Sequence, residues 1–122
     1  MRNENLMELA MQARENAYAP YSNFKVGAAI LTTDGSVFVG CNVENSCGTS
    51  CCAERVAIHN AISQGHNSFT KIAIAALDGT FPCGICRQVI AEFSDDIVIL
   101  VNQDGSIREY TIGELLPHTF KR

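Results

Sequence analysis

The hydrophobic positions of this chain change their period several times, and each change predicts a new element. Near the N-terminus apolar residues recur every three or four positions, which is typical of a helix with one buried face. Further along, short apolar runs bounded by Gly, Pro or Asp predict strands. The predicted helices cover residues 4–16, 51–65, 83–93 and 111–117. The predicted strands cover residues 24–32, 36–43, 70–77, 97–101 and 106–111.

The order of these elements is helix, strand, strand, helix, strand, helix, strand, strand, helix. Strands that alternate with helices predict an α/β fold, with a layered sheet flanked by helices. Asp34-Gly35 lies between the first two strands and is a strong hairpin signal. A tight turn at Asp104-Gly105 joins the last two strands. We expect these two strands to be antiparallel, because a parallel pair needs a long crossover.

Length and composition limit the classes of protein that need to be considered. The chain has 122 residues and is 47% hydrophobic, which suits one folded domain over residues 1–122. Apolar runs are shorter than the roughly 18 residues of a transmembrane helix, and the N-terminal segment lacks the apolar core of a signal peptide. We therefore expect a cytoplasmic protein with no membrane partner. The net charge of −4 and the lack of a Lys/Arg cluster disfavour a polymeric nucleic acid as partner.

The six cysteines are unevenly distributed, which suits a metal site better than a disulfide framework. Cys52 begins the motif Cys-Ala-Glu, and Cys83 and Cys86 belong to the motif Pro-Cys-Gly-Ile-Cys. Both motifs fall at predicted helix starts, where free N–H groups and the helix dipole favour the thiolate that binds metal. If the two helices lie side by side, these three cysteines form a zinc site.

Three protein ligands leave one tetrahedral position open, which is typical of catalytic rather than structural zinc. Zinc in such a site lowers the pKa of water toward neutrality. Glu54 follows Cys52 by two residues, so we predict that it carries the proton of that water to the substrate. Arg55 and Arg87 each directly follow a motif. We predict that they hydrogen-bond the sulfurs and withdraw negative charge, the alternative being that both face solvent.

Cys-x-Glu followed by Pro-Cys-x-x-Cys is the signature of zinc-dependent deaminases, and at these residues the chain resembles the small bacterial-type cytidine deaminases. The resemblance extends over nearly the whole length. The matching segments are residues 19–29 (APYSNFKVGAA), 40–45 (GCNVEN), 52–55 (CAER), 82–88 (PCGICRQ) and 114–117 (ELLP). It implies a three-layer α-β-α fold with a mixed five-stranded sheet, one zinc ion per chain and a homotetramer whose subunits complete each other's active sites.

The resemblance also implies roles for individual residues. Phe24 would pack on the substrate, and Asn42 and Glu44 would bind the ribose hydroxyls. The backbones of Ala53 and Phe81 would contact the edge of the pyrimidine. Phe120 would stack over the base in a neighbouring subunit. From the residues alone, Asn42 and Glu44 share one face of a strand, which fits either a polar pocket or a solvated strand end.

Two features differ from the usual pattern of that family. The segment 46–51 is one residue shorter and lacks an aromatic side chain, and Phe81 stands where a Ser is usual. The leading hypothesis is a hydrolytic deaminase of cytidine and deoxycytidine in pyrimidine salvage. The short segment motivates a second, in which the same mechanism acts on a related aminopyrimidine nucleoside or on a nucleoside antibiotic such as blasticidin S.

Two further hypotheses remain. A structural zinc module without activity needs a fourth ligand, for instance Cys47 or Cys51, and leaves Glu54 unexplained. A deaminase that edits RNA or DNA is disfavoured by the charge and by the final hairpin.

We expect Cys41 and Cys47 to be small buried residues. The three histidines, for which we expect only surface or core positions, are His59, His66 and His118.

Overall fold

The fold was determined as a computed structural model that describes residues 1–77 and 79–122. Every predicted element is present, with ends shifted by a few residues. The helices are Asn3–Arg14 (α1), Ala53–Ser63 (α2), Gly84–Ala91 (α3) and Ile112–Leu115 (α4). The strands are Gly27–Thr32 (β1), Val37–Cys41 (β2), Phe69–Ala75 (β3), Val98–Gln103 (β4) and Ser106–Thr111 (β5).

The strands form one mixed sheet in the order β2-β1-β3-β4-β5. Only β3 and β4 are parallel among these strands, and α3 supplies the crossover that a parallel pair requires. The hairpin of β4 and β5 is antiparallel, with Gln103 opposite Ser106 at its tip. The predicted fold class, the mixed five-stranded sheet and the antiparallel last pair are confirmed.

Helices cover both faces of the sheet. On one face α1 packs against side chains of β1, β3 and β4. On the other face α2, α3 and α4 pack over a larger core centred on Ile30, Ile72, Ile74 and Ile99. Alternate residues of each central strand point to opposite layers. Because helices cover both layers, β1, β3 and β4 bury apolar residues on both faces. None of the helices described over 1–77 and 79–122 is both long and apolar enough to cross a membrane.

Helix α2 lies very close to the sheet because β2 has a glycine where the two elements meet. A Cβ on Gly40 would lie 2.8 Å from the carbonyl oxygen of Ala53 at the start of the helix. Any larger residue there would push the first turn of α2 outward. The glycine therefore fixes the height of Cys52 and Glu54 above the sheet.

The face that α2 buries differs in part from the predicted one. The predicted stripe contained Ala53, Val56, Ala57, Asn60 and Ala61; its three alanines are buried, but Asn60 is exposed and Val56 only half-buried. Asn60 donates its amide to the carbonyl of Val39 at 3.3 Å. Ile58 is buried instead, because the helix is rotated about its axis so that the side facing α3 and the core is covered.

One edge of the sheet gathers the segments that matter for function. Gly27 at the start of β1 pairs with Cys41 at the end of β2 and with Ala75 at the end of β3. The segments leaving β2 and β3 lead to the starts of α2 and α3. In α/β folds the region beyond such strand ends is the usual place for a ligand site.

Candidate active site

Cys52, Cys83 and Cys86, here called the cysteine trio, meet at this edge of the sheet. Their sulfur atoms all lie within 4.8 Å of one another, and Cys52 Sγ is 3.9 Å from Cys83 Sγ. Cys52 is the N-cap residue of α2 and Cys83 that of α3, both with extended backbone, and Cys86 is in the first turn of α3. The two helix starts thus bring residues from distant segments into one cluster.

The trio fits a tetrahedral zinc ion. Zinc–sulfur bonds of about 2.3 Å at tetrahedral angles hold sulfurs about 3.8 Å apart, which is close to the spacing of Cys52 and Cys83. In the described chain the cluster contains these three cysteines and no other cysteine, histidine or carboxylate. Cys47 is exposed and its sulfur contacts Asn45 Oδ1 at 3.0 Å, so it supplies no fourth ligand.

The surroundings of the three thiols shift their pKa values in different directions. Burial raises the pKa of Cys86, and the negative charge of Glu54 raises it further. Burial also raises the pKa of Cys52. Burial acts in the same direction on Cys83, but hydrogen bonds to its sulfur from Cys86 outweigh it, and the pKa of Cys83 is lowered. Three neighbouring thiolates repel one another, so a bound cation is what would hold all three deprotonated.

Arg55 supplies positive charge beside the trio. Its Nη2 donates to Cys52 Sγ at 3.4 Å, and this bond is the main reason that the pKa of Arg55 is raised. Its Nε is buried and makes no hydrogen bond to the described residues. The guanidinium group therefore contacts the sulfur of Cys52 while the residue stays partly exposed to solvent.

The prediction that Arg87 also bonds the sulfurs is wrong. Its Nε donates to the carbonyl of Pro82 at 2.8 Å and its Nη1 to the carbonyl of Leu115 at 2.8 Å. The side chain starts one residue after Cys86 and reaches along α3 to α4. Arg87 thus links the turn that precedes Cys83 to α4. Through the backbone of that turn it helps to position Cys83, the predicted zinc ligand.

Glu54 is buried in the first turn of α2, with 4% of its surface exposed. Burial raises the pKa of its carboxyl group. Its side chain forms part of the wall of a cavity of about 260 Å³, here called the trio pocket, which Cys52 and Cys83 also line. A buried carboxyl group in the wall of a pocket that two of the cysteines also line can exchange a proton with a ligand there.

The trio pocket also contains most of the other predicted site residues. Phe24, Asn42, Glu44, Ala53 and Phe81 all line it. A larger cavity, of about 410 Å³, lies between α1 and the β4–β5 turn. None of the predicted site residues lines that cavity, so its size has no bearing on the chemistry.

Asn42 and Glu44 are held by the loop that precedes β1. Asn42 Oδ1 accepts from the backbone N–H of Val26 at 2.9 Å, and its Nδ2 donates to the carbonyl of Phe24 at 2.7 Å. Glu44 accepts from the backbone N–H and hydroxyl of Ser22, which lower the pKa of its carboxyl group. Each side chain keeps a free donor or acceptor for a ligand, and its orientation is fixed beforehand.

Phe120 lies apart from the pocket of its own chain. Its ring is 70% exposed, while its carbonyl accepts from Gln88 Nε2 at 2.8 Å. Lys121 extends the attachment by donating to the carbonyl of Ala91 at 2.9 Å. The backbone of the tail is therefore fixed on α3, and the ring projects away from it.

Sequence reasoning missed several residues at the site. Ser22, Val26, Ser50, Cys51 and Thr80 also line the trio pocket. Their proximity to recognised motifs was the available signal, since each lies within a few residues of a predicted site residue.

Of the two cysteines expected to be buried, Cys41 is half-buried. That expectation is wrong for Cys47, because it sits in a surface turn closed by Asn45.

Comparison with known proteins agrees with this geometry. The family described as "Cytidine and deoxycytidylate deaminase zinc-binding region" matches residues 1–102. The chain belongs to this family. The family resemblance inferred from the motifs is therefore confirmed, and so is the zinc cofactor, which the cysteine trio fits.

Individual relatives match nearly the whole length of this chain. A cytidine deaminase of Sporosarcina psychrophila is 48% identical over 124 residues, which covers 98% of this chain and 91% of that protein. The crystal structure of cytidine deaminase from Burkholderia pseudomallei superposes with a TM-score of 0.93 at 44% identity, covering 98% of this chain and 100% of that one. A blasticidin-S deaminase of Bacillus cereus is 31% identical over 129 residues, covering 95% and 92%.

Proposed function

We propose that this chain catalyses the hydrolytic deamination of cytidine and deoxycytidine to uridine and deoxyuridine. The observation that carries the proposal is the joint placement of Cys52, Cys83 and Glu54 in the wall of one pocket that Asn42 and Glu44 also line. A reactive group and a polar contact for a sugar thus share one cavity. The family and the 48% identity to a cytidine deaminase support the same substrate.

The residues divide the chemistry between them. Cys52, Cys83 and Cys86 would hold zinc, which when bound supplies the Lewis acidity that lowers the pKa of water toward neutrality. Glu54 takes a proton from the attacking water at its carboxylate and delivers it to the ring nitrogen. The water oxygen bonds to the ring carbon that carries the amine. The bond from that carbon to the amine then breaks, and ammonia leaves with protons relayed by Glu54, so no oxidant or reductant is needed.

Arg55 balances the charge of this arrangement. Three thiolates carry more negative charge than a divalent cation can offset, which weakens its Lewis acidity. The hydrogen bond of 3.4 Å from Arg55 to Cys52 draws electron density from that sulfur. Arg87 contributes by fixing the turn before Cys83 through Pro82.

Phe24, Asn42 and Glu44 would hold the nucleoside. The ring of Phe24 is partly exposed in the pocket, where it can pack on an apolar face of the substrate. Asn42 and Glu44 are preoriented and can bind ribose hydroxyls with the hydrogen-bonding capacity left to them. The backbones of Ala53 and Phe81 line the same pocket and would contact the pyrimidine edge.

Assembly and cellular role extend the proposal. A homotetramer would cover the ring of Phe120 and other exposed apolar side chains, among them Ile62 on α2, since such surface usually marks an interface. One domain over residues 1–122 is supported by two cores that share one sheet. We place the reaction in pyrimidine salvage, in the cytoplasm.

A second candidate function is deamination of blasticidin S. The 31% identity to a blasticidin-S deaminase favours it, whereas the higher identity to cytidine deaminases favours cytidine. Both substrates require the same reaction at an aminopyrimidine.

One assay tests both candidates. Zinc-loaded protein is mixed with cytidine, deoxycytidine, blasticidin S or free cytosine, and the fall in ultraviolet absorbance is followed. We expect turnover of both nucleosides, and a far lower kcat/KM for cytosine and blasticidin S. A kcat/KM for blasticidin S above that for cytidine would reverse the assignment. No turnover of any of the four by zinc-loaded protein would refute the deaminase.

A further inference from the structure

The ring of Phe81 occupies a position that the reaction does not use. It is 39% exposed and lines the trio pocket together with Thr80 and Cys83. Phe81 precedes Cys83 by two residues, with Pro82 between them. Because Phe81 and Cys83 line the same pocket and are two residues apart, this part of the wall lies close to the place where a substrate must react.

Tyr110 holds this ring in place. The two ring centroids are 5.2 Å apart at an interplanar angle of 62°, an edge-to-face contact. Tyr110 lies on β5, where it pairs with Ile99, and it packs against the larger core. It does not itself line the pocket in the part of the chain that is described. The pocket wall at Phe81 is therefore braced from the core side.

The sugar contacts lie on another side of the pocket. Asn42 and Glu44 follow β2, whereas Phe81 follows β3, and β1 separates these strands. Neighbouring strands are about 4.8 Å apart, so the two strand ends stand about 10 Å apart. A change at Phe81 should affect the reacting end of a nucleoside and leave its sugar unaffected.

We propose that Phe81 is a specificity-determining residue, and that Tyr110 is its positioning residue. The braced ring limits the size of the group on the departing amine, so the enzyme selects an unsubstituted amine. This inference rests on the proposed function, because it assigns the limit to an aminopyrimidine that reacts beside the trio.

The test compares kcat/KM for cytidine with that for N4-methylcytidine, in which the amine carries one methyl group. Wild type should strongly prefer cytidine. In Phe81→Ala the ratio of the two values should shift toward N4-methylcytidine by about 10-fold or more, the scale of one methyl group in an apolar pocket. Because both enzymes face the same leaving groups, intrinsic reactivity cancels from the comparison. The ratio of cytidine to deoxycytidine should stay within about twofold.

Tyr110 separates positioning from general stability. Tyr110→Ala should shift the same ratio in the same direction. Tyr110→Phe keeps the ring, so its ratio should equal that of wild type. Phe38→Ala is the matched control, since Phe38 also belongs to an aromatic pair, with His66 at 5.0 Å, but lies outside the trio pocket. It should leave the ratio unchanged. Phe81→Leu replaces Phe81→Ala if the latter does not fold.

The outcomes are distinct. A folded Phe81 variant that turns over cytidine with an unchanged ratio overturns the inference alone. An equal shift in Phe38→Ala also overturns it, because the effect would then come from loosened packing. Wild type that deaminates neither nucleoside overturns the proposed function and the inference with it.

Discussion

Arg55 and Cys52 lie one helical turn apart at the start of α2, and the guanidinium Nη2 donates to the thiol sulfur at 3.4 Å. The bond joins a half-buried cation to a sulfur whose pKa burial raises. Opposite charge placed there favours the thiolate. We therefore expect the contact to support metal binding at Cys52.

Removal of this cation should weaken zinc binding. In Arg55→Gln we expect zinc affinity to fall about 10- to 100-fold, the usual effect of losing a partner of a metal ligand. Competition with a chromophoric chelator measures the affinity directly. Arg108→Gln is the control, since Arg108 is exposed and its side chain forms an ion pair with Asp104 at 3.9 Å on a strand that does not line the trio pocket. Equal affinities in wild type and Arg55→Gln would remove Arg55 from the metal site.

Glu54 should be required for turnover but not for metal. Glu54→Gln keeps the size of the side chain and can hydrogen-bond water, but it cannot carry a proton. We expect zinc to be retained and kcat to fall by about 10²–10⁴-fold, the range for lost acid–base catalysis. Elemental analysis and the ultraviolet assay on one preparation measure both. Glu109→Gln, an exposed change on β5, should behave as wild type, and near-normal kcat in Glu54→Gln would contradict the proton-transfer role.

The sequence predicted the parts of this site that depend on local spacing. Cys52, Cys83 and Cys86 could be assigned because each lies in the first turn or at the cap of a helix. Arg87 could not, because its partner Leu115 belongs to α4 and becomes a neighbour only in the folded chain. The contact of Phe81 with Tyr110 depends in the same way on the placement of β5.

The fold shows the same division. Strand and helix order followed from periodicity, and the turn at Asp104-Gly105 indicated an antiparallel pair. The rotation of α2 that exposes Asn60 and buries Ile58 did not follow. Its three alanines mark the middle of the buried face, but they do not show which flanking residues are covered, so contacts with β2 and the core decide it.

Glu44 should contribute through the sugar hydroxyls. Because Glu44 also accepts hydrogen bonds from Tyr21 and Ser22, a loss of activity in Glu44→Ala could reflect a loosened loop. Substrates separate the two effects. We expect kcat/KM for cytidine to fall by the equivalent of about 1–3 kcal/mol, the scale for an unpaired polar partner. For 2′,3′-dideoxycytidine, which lacks the 2′ and 3′ hydroxyls of the ribose, the same substitution should have little effect. Equal losses on the two substrates would assign Glu44 to loop structure alone.

Phe120 should contribute to the substrate site of a neighbouring subunit. Its ring is 70% exposed in the isolated chain although hydrogen bonds from Gln88 and Lys121 fix the backbone around it. An apolar ring that is held in water contributes no stability to the isolated chain. Its exposure therefore suits a contact with a second subunit. If it covers the substrate of a neighbour, Phe120→Ala should raise KM several-fold with little change in Tm.

Light scattering should give the mass of a tetramer for active wild type. Leu77→Ala is the matched control, since Leu77 is an apolar residue that is 80% exposed and lines the other cavity rather than the trio pocket. That variant should keep the wild-type KM. A monomer mass for fully active enzyme would refute the shared site, because Phe120 does not line the pocket of its own chain in the described structure. A tetramer in which Phe120→Ala leaves KM unchanged would keep the assembly and reject only the role of this ring.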